Sequence, residues 1–147
     1  MNGTPRAVFD TQIFLRAMIN RRSACGKLVL DLRADYQLYT TDFIDEEILD
    51  VLTRHKIREK SPQITDSRVG LVRVVLELAH RVEVQPEDIE PICRDPNDDI
   101  FLACAKLAEA DYLVSEDKDL LALQKHGKVS IVDVAAFLNI LQSRREE

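Results

Sequence analysis

Short apolar runs alternate along this chain with longer segments of helical periodicity, and that alternation limits the folds open to it more than any single motif does. Ala7-Val8-Phe9, Gln37 to Thr41, Val82 to Val84, Tyr112-Leu113-Val114 and Val129 to Val132 have the length and composition of strands. Between them the spacing predicts helices. One is capped by Ser23 and runs to about Ala34. The next begins at Asp42, with Phe43, Ile44, Ile48, Val51 and Leu52 at 3.6-residue spacing, and Asp42 with Asp45 approximates a capping box. Others run through Val69, Val72, Leu76 and Ala79, from Asp98 to Ala110, through Leu120, Leu121 and Leu123 until Gly127, and from Val134 to Leu141. Lys56 to Thr65, polar and containing Pro62, reads as a loop; Pro86, Pro91 and Pro96 exclude a continuous helix between Gln85 and Asn97. Strand–helix alternation of this kind predicts an α/β fold: a mostly parallel central sheet with helices on both faces. The 147 residues suit one domain with one core, spanning residues 1–147, and no repeat or linker divides them.

No apolar run approaches the ~20 residues that a bilayer-spanning helix needs. Met1 to Phe9 has no apolar leader segment, so the expected compartment is the cytoplasm, with no membrane partner. Cys25, Cys93 and Cys104 match no zinc spacing, and an odd count argues against a disulfide framework; Cys25 and Cys104 are expected to be small core residues. The formal charge of −6 disfavours broad, charge-driven binding to nucleic acid, which requires clustered Lys and Arg. Local basic stretches do exist, at Arg54, His55, Lys56, Arg58 and Lys60 and at Arg21 and Arg22.

In open α/β sheets, ligands gather beyond the carboxyl ends of the strands, and this rule selects among the 26 acidic residues. Asp10 directly follows the first strand; Asp117 and Asp119 lie just past Tyr112-Leu113-Val114. On the helix from Asp42, Glu46 falls nearly opposite the apolar stripe, whereas Glu47 lies on its edge, where it can point into a cleft. Asp98 shares a face with Leu102 and Ala105, and Asp99 with Lys106 on the expected wet side. Asp98 also starts its helix, where capping free N–H groups is the simpler role for it. Four carboxylates converging in a cleft would repel one another unless protons or cations compensate, and hard oxygen donors suit Mg²⁺ or Mn²⁺.

The residues around these acids resemble those of a known family, the PIN domains, and especially the VapC-like toxins of toxin–antitoxin systems. The resemblance rests on Val8-Phe9-Asp10-Thr11-Gln12, on Thr41 through Glu47 to Val51-Leu52, on Asp95-Pro96-Asn97-Asp98-Asp99-Ile100-Phe101-Leu102-Ala103, and on Ala110 through Ser115-Glu116-Asp117-Lys118-Asp119 to Leu121. It implies a Rossmann-like, three-layer α/β/α fold and metal-dependent cleavage of RNA. Carried over by position, it implies Asp10, Glu47, Asp98 and Asp117 as metal-site acids holding Mg²⁺ or Mn²⁺, and Asp119 as a fifth. Thr11 and Ser115 become hydroxyls that orient those acids. Gln12 stands where the family usually has Asn, and Glu116 where it usually has a small Gly.

The function expected from the resemblance is an endoribonuclease, the toxin of a toxin–antitoxin pair, with an antitoxin protein and a second copy of itself as partners. Arg54, Lys56 and Arg58 are the residues expected to steer the RNA backbone. The alternative is a non-catalytic PIN module that binds RNA or a partner protein. A haloacid-dehalogenase-like phosphotransferase is disfavoured because Gln12 occupies the place of its second aspartate, and a response-regulator receiver because Asp10 stands without an acidic pair.

Overall fold

The computed structural model describes residues 3–146; Met1 and Asn2, part of the N-terminal stretch read for a leader, and Glu147 lie outside the described residues. The elements are β1 (Arg6–Phe9), α1 (Thr11–Ile19), α2 (Ala24–Gly26), β2 (Gln37–Thr40), α3 (Asp42–Thr53), α4 (His55–Lys60), α5 (Asp66–Leu78), β3 (His80–Arg81), α6 (Asp99–Leu107), β4 (Tyr112–Val114), α7 (Lys118–Leu123), β5 (Lys125–His126), β6 (Val129–Val132) and α8 (Val134–Arg145). The sheet order is β3-β2-β1-β4-β6-β5, parallel throughout except for β5, which pairs antiparallel with β6. This is the mostly parallel α/β/α architecture that the alternation predicts. Its central strands are near-continuously apolar, as expected when both faces are covered: Ala7, Val8, Phe9, Leu113 and Val114 are all buried. Phe9 packs against Phe14, Tyr36 and Phe137, and the Tyr36 hydroxyl is satisfied by donating to the Leu28 carbonyl at 2.7 Å. Each such aromatic contributes about 1.5–3 kcal/mol by leaving water.

Several local readings differ from the structure, each for a physical reason. The segment after Asp10 carries a helix that strand–helix alternation did not place. Ile13, Phe14, Ala17 and Met18 form its buried stripe, and Asp10 is its N-cap. The helix expected from Ser23 to Ala34 does start at Ser23, whose hydroxyl oxygen accepts from the Gly26 N–H at 3.1 Å, but α2 passes at once into a π-helical run, Lys27–Asp31, and then a 3-10 turn, Arg33–Asp35. The Lys56–Thr65 loop contains α4. The extended backbone of Arg54 separates it from α3, and Ser61 ends it before Pro62. The strand expected at Val82–Val84 lies earlier, at His80–Arg81, because α5 ends at Leu78 and the chain pairs with Tyr39 and Thr40 immediately; only the Val82 N–H, donating to Thr40 O, extends the ladder. The capping box expected of Asp42 and Asp45 is likewise replaced: Thr41 caps α3 by accepting from the Ile44 N–H, while Asp45 accepts from the Thr40 hydroxyl and pairs with Arg81.

Candidate functional site

After β1 the chain builds outward through β2 to β3, then returns to lay β4 and β6 on the other side of β1. The order therefore reverses between β1 and β4, and at such a switch point the carboxyl ends of two neighbouring strands open a crevice. Asp10 leaves β1 there, and Ser115, Glu116 and Asp117 leave β4. The Asp10 N–H donates to Val114 O at 3.1 Å, which continues the β1–β4 ladder into the site.

Asp10 is 4% exposed. One carboxylate oxygen accepts from the Ile13 N–H at 3.3 Å, and the other accepts a very short hydrogen bond from the Ser115 hydroxyl. Burial pushes its pKa from 3.8 up to about 6; the bonds from Ser115, Ile13 and Gln12 hold it back, and the charge of Asp117 adds to the rise. Ser115 is fully buried and bonds both strand-end acids, because its oxygen also accepts from the Asp117 N–H at 2.9 Å. Asp117 caps α7, its Oδ1 accepting from the Asp119 N–H at 2.7 Å. Across the crevice, the Thr11 hydroxyl donates to Glu47 Oε2 at 3.0 Å and so ties α1 to α3.

Asp98 completes the group. It occupies the N-cap position of α6, but its side chain makes no capping bond, which removes the simpler role and leaves both oxygens free for other partners. Burial, joined by the charges of Asp117, Asp95, Asp10 and Glu47, raises its pKa to about 6. Asp98 therefore senses all three other acids. None of the ion pairs among the described residues involves Asp10, Glu47, Asp98 or Asp117. The acids converge without closing: among the described residues, no three Asp, Glu, His or Cys side chains stand ready as a cation cage.

The neighbouring acids divide as follows. Glu46 is exposed and Glu47 half-buried, as the stripe geometry predicts. Asp99, expected on the wet face, is instead 4% exposed, and its Oδ1 accepts from the N–H groups of Cys93 at 2.7 Å and Ile92 at 3.1 Å. Burial opposes its ionisation, but those bonds prevail and hold its pKa below the usual value. It fastens the proline-rich segment to α6, a task that helical spacing did not reveal because its partners lie outside the helix. Asp119 and Gln12 are exposed. The Glu116 carboxylate accepts from the Val134 N–H at 3.2 Å and stands 4.0 Å from Arg16. Of the expected RNA-steering residues, Arg54 pairs with Asp50 and Arg58 with Asp66, while Lys56 is exposed. Burial pushes the Cys25 thiol to about 11 and those of Cys93 and Cys104 to about 12, so none is poised as a nucleophile.

A family model for the PIN domain matches residues 6–119, from the first residue of β1 into α7, and takes in all four acids. The chain belongs to the PIN-domain family. It is also 28% identical over 125 residues to an uncharacterized protein of Methanocaldococcus jannaschii, an alignment covering 84% of this chain and 77% of that protein. PIN domains are generally metal-dependent nucleases, and in this PIN domain the donor set fits a divalent ion: it is made of oxygen alone, is partly buried, and among the described residues has no ion pair to balance it. Among the described residues no helix is long and apolar enough to cross a membrane.

Proposed function

We propose that this PIN domain is a metal-dependent endoribonuclease, the toxin of a toxin–antitoxin pair, in which Asp10, Glu47, Asp98 and Asp117 hold Mg²⁺ or Mn²⁺ and Asp119 lies within reach as a fifth ligand. The observation that carries this reading is electrostatic. Two acids from separate segments, Asp10 and Asp98, are both raised to about 6 by burial and by neighbouring carboxylates, with no Lys or Arg to offset them. A fold that keeps such a cluster at a strand switch point is compensated most simply by a bound cation. When bound, the metal supplies Lewis acidity to activate water against phosphorus and to steady the leaving oxygen. The chain's own residues aim the acids: Ser115 holds Asp10 and the Asp117 backbone together, and Thr11 fixes one oxygen of Glu47. Gln12 is exposed on the first turn of α1, two residues after Asp10. Lys56, the member of the Arg54–Lys56–Arg58 stretch without an ion pair among the described residues, offers the RNA backbone a free charge. An antitoxin protein and a second copy of the chain are the proposed protein partners, and the cytoplasm the proposed compartment.

The test is RNA cleavage by the purified protein with Mn²⁺, with Mg²⁺, with EDTA, and as Asp10→Asn and Asp98→Asn. Cleavage by the wild type that EDTA and either substitution abolish is the expected result. Cleavage that survives EDTA overturns the metal mechanism. The open arrangement of the acids favours one competing reading, a non-catalytic PIN module. Absence of both cleavage across a broad RNA panel and metal binding by calorimetry decides for it.

A further inference from the structure

The chain carries six net negative charges, so an RNA backbone meets overall repulsion and must be held by cations gathered in one place. Many of the basic side chains are already spent on carboxylates: Arg54, Arg58, Arg81, Lys106 and Arg145 are all in ion pairs. One cleft differs. A concavity of about 410 Å³ beyond the carboxyl end of α1 is lined by three guanidinium groups, Arg21, Arg22 and Arg68, against a single carboxylate, Asp31. None of these four takes part in an ion pair among the described residues.

The cleft is built rather than incidental. Arg68 reaches from α5 to donate to the carbonyls of Met18 at 2.6 Å and Ile19 at 3.5 Å, so its planar head is held in place with further N–H donors to spare. Arg21 and Arg22 sit in a tight turn. The Ser23 N–H and hydroxyl both donate to Asn20 O, and the Arg22 N–H donates to the Asn20 side chain. Gly26 packs so closely on the Arg21 backbone that any side-chain atom there would collide with it. An arginine fork held in place like that of Arg68 suits phosphate oxygens, which it bonds in pairs, and the turn sets Arg21 and Arg22 on the same cleft. α1 joins this cleft to the acid cluster: it starts at Asp10 and Thr11, and Gln12 and Arg16, four residues apart, are exposed on one face along the way. Its nine residues span about 14 Å, the rise of roughly four stacked nucleotides.

We propose that Arg21, Arg22 and Arg68 form a phosphate-binding cleft that grips single-stranded RNA about four nucleotides from the acid cluster, with the strand lying along the Gln12–Arg16 face of α1. The proposal rests on the RNA-cleaving reading for its ligand, so its test measures binding without cleavage. A fluorescent single-stranded RNA of about 20 nucleotides is titrated by anisotropy in EDTA, against the wild type, Arg21→Ala/Arg22→Ala, and Lys125→Ala/Lys128→Ala. The last makes the same charge change on the exposed β5–β6 hairpin. The arginine double variant is expected to bind at least tenfold more weakly and to lower the salt slope by about 1.4, from ~0.7 per lost phosphate contact on a single strand; the lysine double variant is expected to change little. Equal losses in both variants, no loss in the first, or no RNA binding by the wild type overturns the cleft. Capture of a polyglutamate peptide in place of RNA, lost with Arg21 and Arg22, also overturns it and assigns the cleft to an acidic protein. Arginine-dependent binding without metal-dependent cleavage removes the nuclease reading alone, and cleavage without arginine dependence removes the cleft alone.

Discussion

Asp10→Asn should make the metal-free protein more stable while abolishing its metal response. Moving a carboxyl from its ordinary 3.8 to about 6 corresponds to about 3 kcal/mol of stability forgone once the group is ionised. The sign follows from linkage: between the unfolded value near 4 and the folded value of about 6, the native state binds the extra proton, so stability falls as pH rises through this window. For the wild type, lowering pH from 7.5 to 5 should recover about 1.5 kcal/mol from Asp10, and Asp98 acts in the same direction. Asparagine removes the charge but weakens the bond from Ser115, which offsets about 1 kcal/mol. The expected net gain is therefore about 2 kcal/mol at pH 7.5 in EDTA, shrinking to less than about 1 kcal/mol at pH 5. Urea unfolding at both pH values, with and without Mn²⁺, measures it. The wild type should gain stability on adding Mn²⁺ and the variant should not. A variant less stable than the wild type at pH 7.5, or a gap that does not depend on pH, would refute the argument that Asp10 is held as an uncompensated buried charge.

Ser115→Ala should weaken Mn²⁺ binding roughly 10–100-fold by calorimetry, because the hydroxyl that aligns Asp10 and Asp117 is lost; unchanged affinity would show that the acids hold their own positions. Asp99→Ala should cost about 2–3 kcal/mol in urea unfolding, since it strands the N–H groups of Ile92 and Cys93. The lowered pKa of Asp99 gives its contribution the opposite pH sense, present above about 4 and lost on further acidification. Gly26→Ala should destabilise by about 1–3 kcal/mol through collision with the Arg21 backbone, seen as a lower urea midpoint with an unchanged slope.

The acids were legible where chain geometry is local. Strand ends point at the carboxyl edge whatever packs around them, so Asp10 and Asp117 could be read directly. The edge of an apolar stripe distinguished Glu47 from Glu46, and burial agrees. The same reasoning put Asp98, which is half-buried, on the inner face but misjudged Asp99, because helical spacing says nothing of a proline-rich segment that folds back over the first turn of α6. α1 follows β1 after the single N-cap residue Asp10, so its stripe of Ile13, Phe14, Ala17 and Met18 is not set off from the strand by any loop signal in the sequence. Among the basic residues, sequence clustering favoured Arg54 and Arg58, and only the fold shows Asp50 and Asp66 beside them.

By itself the sequence determined the strand–helix alternation and the α/β class, and it singled out the four acids now proposed as the site, because these readings follow from backbone periodicity and side-chain chemistry over a few residues. Only the tertiary structure decided the strand order that puts the switch point between β1 and β4, the Ser115 hydroxyl that links Asp10 to Asp117, the Thr11 hydroxyl that holds Glu47, and the cleft uniting Arg21 and Arg22 with Arg68. Each brings together groups tens of residues apart in the chain. Charge interactions fall off over a few ångströms, so such a site acquires its electrostatic character only once folding has closed those separations.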